Sequence, residues 1–196
     1  MSVVKWLLAH VCVNAYRLRQ IDFITAFLNL LMENKLLYVE QVEGFEQGDP
    51  KEWVCLLLKA LYGLKAAPAL WQKTLHEYMH KMGFVPSPAD PCLFIISTVT
   101  IAVWVDDMLA CGFDEKDLDR VYEILSKQFK TKDLGAPAHF LGIEVTRDFE
   151  RNEITLSQYT YLAKVIERFN RSNVKNREVP MNPSATLTKY EGQAIK

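Results

Sequence analysis

Two adjacent aspartates, Asp106 and Asp107, stand between the apolar runs CLFIISTVTIAVWV and MLACGF, and no other feature restricts the possible folds as much. Runs this rich in Val, Ile and Phe read as buried strands. An acidic pair between them falls at the tip of a hairpin whose arms lie in a core. Taken alone, such a pair is more often a solvated turn. Here the apolar flanks VWV and MLA anchor it on both sides.

The rest of the chain supplies the neighbours that hairpin needs. Residues 3–16 have helical spacing. Residues 18–23 (LRQIDF) form a short strand carrying Asp22 near its end, and 24–30 a turn of helix. Between 34 and 60 two strand-like runs, LLYVEQ and WVCLLLKAL, flank the turn-rich EGFEQGDPKE and suggest a hairpin excursion. A helical period covers 66–82, with Pro68 tolerated in its first turn and Gly83 as its stop. Pro86, Pro88 and Pro91 then punctuate a loop. A charged helix with an apolar stripe covers 115–129, HFLGIEVTRD and NEITLSQ are further strand candidates, and 158–170 is a last helix. From Ser172 the polar, Pro-containing tail (172–196) has no period, which predicts loose order.

From residue 18 to about 147 the order strand, helix, strand, strand, helix, strand is the split βαβ pattern of a ferredoxin-like α+β fold. A right-handed crossover through the 66–82 helix brings the 18–23 strand beside the 100–112 hairpin. Asp22 is then expected to meet Asp106 and Asp107. Three carboxylates placed together repel one another unless a cation neutralises them. Mg²⁺ prefers oxygen ligands and shares its sphere with substrate phosphates, with Mn²⁺ as an alternative ion. Two such ions about 3.5–4 Å apart are the arrangement that clamps an in-line phosphoryl displacement.

Composition adds boundaries. With 196 residues, 49% of them apolar, the chain can bury a sizeable core. Lys and Arg number 23 against 24 Asp and Glu, so net charge exerts no global pull on a polyanion. Basic residues gather only at Lys164, Arg168, Arg171, Lys175 and Arg177, which suits either a phosphate backbone or a solvated helix face. Cys12, Cys55, Cys92 and Cys111 form no C-x-x-C pair and read as reduced thiols of a cytoplasmic or nuclear, non-secreted protein. The opening MSVVKWLLAHVCVNA has the outline of a signal peptide, but His10 interrupts it and its apolar positions suit a buried helix. No run approaches the length of a membrane span. A literal H-E-x-x-H, from His76 and Glu77 to His80, sets two imidazoles one helical turn apart, as zinc metalloproteases require. Pro86 stands where the longer form of that motif has its third histidine, so a mixed, exposed helix face is the competing reading.

The segments QIDFITAFLN, YVEQVEGF, LYGLKAAPALW, ADPCLF, WVDDML, KDLGAPAHFLGIEV and LSQYTYLAKVIERF occur together and in this order. In that combination the chain resembles copia-type retrotransposon reverse transcriptases from about residue 5 to residue 183. The resemblance implies an RNA-directed DNA polymerase fragment with a ferredoxin-like polymerase palm, partial fingers and the start of a thumb over residues 1–171. It implies two-metal nucleotidyl transfer to a primer 3′-hydroxyl on an RNA or DNA template, with deoxynucleoside triphosphates as substrates and the rest of the Pol polyprotein as a partner. It places the protein in a cytoplasmic virus-like particle or in the nucleus.

By the same resemblance Asp22, Asp106 and Asp107 are the catalytic metal ligands, with the carbonyl of Phe23 as an extra ligand. Phe27, beside Ala26, lies under the incoming sugar and excludes a ribose 2′-hydroxyl. Tyr62, Gly63 and Lys65 line the nucleotide pocket, Gly63 by allowing close backbone approach. Trp104 contacts the primer, and Phe140, Leu141 and Gly142 belong to a hairpin gripping its end. Lys132 is a weaker candidate, as a proton donor to pyrophosphate. The chain departs from the family at Trp104 (usually Tyr), at Ala66 and Ala69 (usually Gln and Arg), at Leu30 (usually Gly), and in a short, weakly polar 97–99 link. In the family a basic fingers segment precedes the position of Met1, so the isolated chain is expected to be impaired in closing on substrate. An inactive transposon-derived remnant and a nucleic-acid-binding module remain as alternatives.

Overall fold

The computed structural model describes residues 2–32, 36–49 and 51–171. The predicted tail, together with Lys175 and Arg177, lies outside the described residues, as do positions 34, 35 and 50 of the 34–60 excursion. The chain divides into two compact units, Met1–Ser157 and Gln158–Lys196.

The first unit is built on a six-stranded sheet in the order β4 (Val85–Ser87), β5 (Asp90–Ile96), β6 (Val99–Trp104), β7 (Asp107–Gly112), β1 (Arg17–Phe23), β8 (Thr131–Gly135). Strands β6 (Val99–Trp104) and β7 (Asp107–Gly112) lie at its centre, and their residues alternate between two cores. Ile101, Val103, Met108 and Ala110 face one core with Trp71, Leu75 and Met79 of helix α2 (Ala67–Lys81) and Leu118, Val121 and Leu125 of helix α3 (Glu115–Gln128). Ala102, Leu109 and Cys111 face the other, with Val4, Leu7, Leu8 and Val11 of helix α1 (Ser2–Val13). Burial on both faces is why these strands appear as unbroken apolar runs rather than alternating ones. It also explains the apolar N-terminus, whose buried positions recur at helical spacing and make α1 a core helix.

Strand β1 (Arg17–Phe23) pairs antiparallel with β7 and, on its other side, with β8 (Thr131–Gly135). Since β1 and β6 each run antiparallel to β7, they are parallel to one another and joined through α2, with β7 inserted between them. The 18–23 strand thus lies beside the hairpin, meeting its second arm rather than a parallel neighbour. Arg19 of β1 ties the edge together by donating to Glu115 at 2.9 Å and Asp119 at 2.6 Å on α3, and lies 3.4 Å from Asp133 on β8.

The structure corrects the sequence reading in particular places. The run CLFIISTVTIAVWV is two strands, β5 (Asp90–Ile96) and β6, which turn at Ser97 and Thr98. The Pro-rich stretch is no loop: β4 (Val85–Ser87) pairs with β5, and Pro86 is tolerated because β4 is an edge strand. The strand closing the split βαβ pattern is β8, not HFLGIEVTRD. Its sequence, TKDLG, is polar because it too is an edge. HFLGIEVTRD instead gives β9 (His139–Phe140) and β10 (Ile143–Asp148), which with β11 (Glu153–Ser157) make a separate three-stranded sheet. Among its described residues the excursion forms β2 (Tyr38–Val39) paired with β3 (Cys55–Leu56), and Lys59 bridges to Leu31.

All four cysteines are free, and burial pushes the Cys111 thiol up to about 12, which leaves it protonated and unreactive. Among the described residues no helix is long and apolar enough to cross a membrane. The second unit contains helix α4 (Tyr159–Arg168).

Candidate functional site

The β6–β7 connection is a two-residue turn, Val105-Asp106, closed by the pairing of Trp104 with Asp107. Val105 has φ 57°, an uncommon left-handed conformation for a β-branched residue. Two contacts hold it. The indole N–H of Trp71, on α2, donates to the Val105 carbonyl at 2.5 Å. The backbone N–H of Phe23 donates to the Asp106 carbonyl at 2.8 Å. The turn is thus fastened to a helix and to strand β1, and its strain is supported from outside, as such conformations require.

The β1–β7 register sets Asp22 directly opposite Asp107, while on the other side of β1 Asp22 is paired with Lys132. Trp104, Asp107, Asp22 and Lys132 therefore form one row across four strands. Cross-strand partners share a face, and the neighbours of these residues, Val103, Met108, Ile21 and Phe23, point into the α2–α3 core. The row lies on the opposite side.

The carboxylates sense one another. Burial holds the Asp107 carboxyl above its ordinary range, helped by the charges of Asp106 and Asp22, and a long bond from Gln20 (3.4 Å) only partly offsets this. Asp106 is half-buried and accepts a hydrogen bond from the Tyr62 hydroxyl at 3.1 Å. Partial burial, that bond, and the charges of Asp106 and Asp22 raise the Tyr62 phenol. Among the described residues, however, no three His, Cys, Asp or Glu side chains are drawn together closely enough to form a ready metal cage. The donor set itself fits a hard divalent cation, because it offers carboxylate oxygens and neither thiolate nor imidazole.

Asp107→Asn follows from this electrostatic setting. A carboxyl whose folded value is raised makes the native state bind the proton more readily than the unfolded chain, so stability falls as pH rises through the folded value. At neutral pH without divalent ions Asp107→Asn is expected to unfold at a higher temperature than the wild type. The gain should shrink on acidification and vanish below the ordinary carboxylate range. Thermal unfolding at a neutral and an acid pH measures it, and equal midpoints at neutral pH would contradict the assignment.

The remaining candidates fall into distinct settings. Phe23 and Ala26 are buried, and Phe27 is 6% exposed with its ring edge-on to Tyr62, centroids 4.6 Å apart. Tyr62, Gly63 and Lys65 lie on the exposed segment before α2. Gly63 has φ 92°, and no atom lies within 4 Å of where a Cβ would stand. Backbone conformation, rather than close approach within the chain, is what requires glycine there. Phe140 is buried against the α1 core, while Leu141 and Gly142 (φ 50° and 76°) form the two-residue turn between β9 and β10. His76 is edge-on to Phe94 at 4.7 Å, and the H-E-x-x-H pair acquires no third ligand among the described residues. Sequence reasoning did not single out Trp71, Gln20 or the Tyr62 hydroxyl as neighbours of the acidic residues. The segment LYGLKAAPALW, which carries both Tyr62 and Trp71, was the one available signal for the first and last of these.

A family described as reverse transcriptase (RNA-dependent DNA polymerase) matches residues 1–183. The Retrovirus-related Pol polyprotein from transposon TNT 1-94 of Nicotiana tabacum is 36% identical over 175 residues, which are 87% of this chain and 13% of the polyprotein. The Putative transposon Ty5-1 protein of Saccharomyces cerevisiae is 34% identical over 179 residues, 89% of this chain and 58% of that protein. The chain thus spans only part of each relative. A telomerase structure from Candida albicans with a fragment of telomeric RNA covers 89% of this chain and 39% of its own at 12% identity, with a TM-score of 0.43 that carries no argument.

Proposed function

This chain belongs to the reverse transcriptase (RNA-dependent DNA polymerase) family, and on that premise we propose that it carries the palm of an RNA-directed DNA polymerase, with Asp22, Asp106 and Asp107 as its divalent-cation ligands. The observation that supports this most is the register that sets Asp22 opposite Asp107, with Asp106 in the adjoining turn. Three mutually repelling carboxylates at one strand end serve no structural purpose that a neutral residue would not serve better. Mg²⁺, or Mn²⁺ in its place, would neutralise phosphate oxygens of an incoming deoxynucleoside triphosphate there.

The other roles are those of residues that bind and orient. Phe27, with Ala26 beside it and the Phe23 carbonyl nearby in the chain, forms the floor on which the sugar rests. Tyr62, Gly63 and Lys65 border the nucleotide, with Lys65 supplying positive charge. Trp104, at the strand end paired with Asp107, and the Phe140-Leu141-Gly142 turn belong to primer contact. Template and primer are RNA or DNA, and the remainder of a Pol polyprotein is the natural partner for a chain spanning 13% of such a relative.

Template-directed incorporation of a labelled deoxynucleotide on an oligo(dT)-primed poly(rA) template, with Mg²⁺ and after its chelation, tests this reading. The expected result is incorporation that chelation abolishes. Incorporation that survives chelation, or none at all in Mg²⁺, contradicts it. Phe27→Val is expected to relax discrimination against ribonucleotides by roughly tenfold or more, since removing a steric exclusion changes relative transition-state binding by about 1–3 kcal/mol. The ratio of ribo- to deoxynucleotide incorporation measures it, and an unchanged ratio would remove Phe27 from that role.

A further inference from the structure

We propose that Tyr62 is a gate with two positions: in the free protein it covers Phe27 and holds the Asp106 carboxylate, and it must leave both when nucleotide and cation enter. The gate rests on the assignment of Asp106 as a cation ligand and Phe27 as the sugar floor. Its basis is that one side chain occupies both places at once. The Tyr62 ring lies edge-on to Phe27 at 4.6 Å, and its hydroxyl donates to Asp106 Oδ2 at 3.1 Å.

Several observations favour a movable ring over a fixed support. Tyr62 is 56% exposed, so little packing opposes its departure. The next residue, Gly63, has φ 92° with open space around its Cα, which is the setting in which a backbone hinge costs least. Phe27 is only 6% exposed, and a sugar could rest on that ring only after its cover had moved. Finally, Asp22 and Asp107 are register partners with Asp106 in the adjoining turn, yet the three do not converge into a cage. A hydroxyl bound to one oxygen of Asp106 is one restraint that keeps that carboxylate turned toward Tyr62.

The consequence is a coupling between two events. A nucleotide entering over Phe27 displaces the ring, and the same displacement frees Asp106 for a cation. Each event then favours the other by the same factor. Before nucleotide arrives, a cation competes with the Tyr62 hydroxyl for the Asp106 carboxylate, and bonds to charged groups are among the stronger ones.

Mn²⁺ binding to the full chain, followed through the electron paramagnetic resonance signal of the free ion, tests the gate without reference to catalysis. The variants are Tyr62→Phe and Asp106→Asn, with Tyr62→Leu as a second hydroxyl-free replacement should the first fold poorly. Tyr62→Phe is expected to bind Mn²⁺ roughly tenfold more tightly than wild type, with its thermal midpoint in chelator lowered by a few degrees, because the same bond stabilises the cation-free fold. Asp106→Asn is expected to bind far more weakly. If Asp106→Asn weakens binding while both Tyr62 variants bind as the wild type does or less tightly, the gate is wrong and the cation site stands. If Asp106→Asn leaves binding unchanged, or no protein binds Mn²⁺, the cation site fails and the gate with it.

Discussion

Trp71→Ala is expected to cost about 3–5 kcal/mol of stability, the range for truncating a buried Trp to Ala, out of the roughly 5–15 kcal/mol that holds a domain folded. Trp71 is 2% exposed, and its ring is edge-on to Phe23 at 5.0 Å and to Phe129 at 5.3 Å, so its removal opens the core between β1, α2 and the end of α3. The loss goes beyond volume. The indole N–H is a donor to the carbonyl of Val105, and without it a residue in a left-handed conformation loses one of its two restraints. Trp71→Phe separates the contributions, because it keeps most of the aromatic contact and deletes the N–H. Its expected cost is about 1–3 kcal/mol, the range for leaving a buried acceptor unsatisfied. Urea unfolding measures both. A cost under about 1 kcal/mol for the alanine variant would show that the α2 face is not the main support of the turn.

Asp106→Asn is expected to lower template-directed incorporation by about 10³-fold or more while leaving the fold intact. The magnitude is that of removing one preorganised electrostatic group from a charge-stabilising site, and a carboxylate bound to a cation belongs at the upper end of that scale. Asparagine fills nearly the same half-buried space, the backbone carbonyl keeps the bond from Phe23, and an asparagine amide oxygen still accepts from Tyr62. Stability therefore has little reason to fall. Because Asp107 is half-buried and already disfavoured as an anion, Asp107→Asn should gain stability as it loses activity, the usual relation between a functional charge and its fold. Comparable incorporation by Asp106→Asn and wild type would place the chemistry elsewhere.

Legibility in the sequence followed burial. Strands β6 and β7 are covered on both faces, and their apolar runs disclosed them; helices α2 and α3 showed through an apolar stripe and their end signals. The order β1, α2, β6, β7, α3 could be read because each of these elements buries enough to write a period into its residues. β8 and β4 could not. As edge strands they are short and polar or Pro-containing, and edge strands are shaped by the need to avoid further pairing rather than by a core. The row of Asp22, Asp107 and Lys132 followed once β1 was placed beside β7 and β8, although β8 itself had gone unnoticed. The left-handed Val105 carried no signal at all, since valine disfavours that conformation and only the tertiary contacts from Trp71 and Phe23 enforce it. The Tyr62 contact to Asp106 likewise depends on where an irregular segment settles, which no local pattern encodes.

The account stands on the claim that Asp22, Asp106 and Asp107 together bind divalent cations, and the change in thermal midpoint on adding Mg²⁺ tests that claim most directly. A ligand binding only the folded state at a hundredfold excess over its Kd adds about 2.7 kcal/mol, or several degrees for a chain of this size. The wild type is expected to show that rise, and the combined Asp22→Asn, Asp106→Asn, Asp107→Asn variant to show none. An equal response in both proteins, or no response in the wild type, would contradict it.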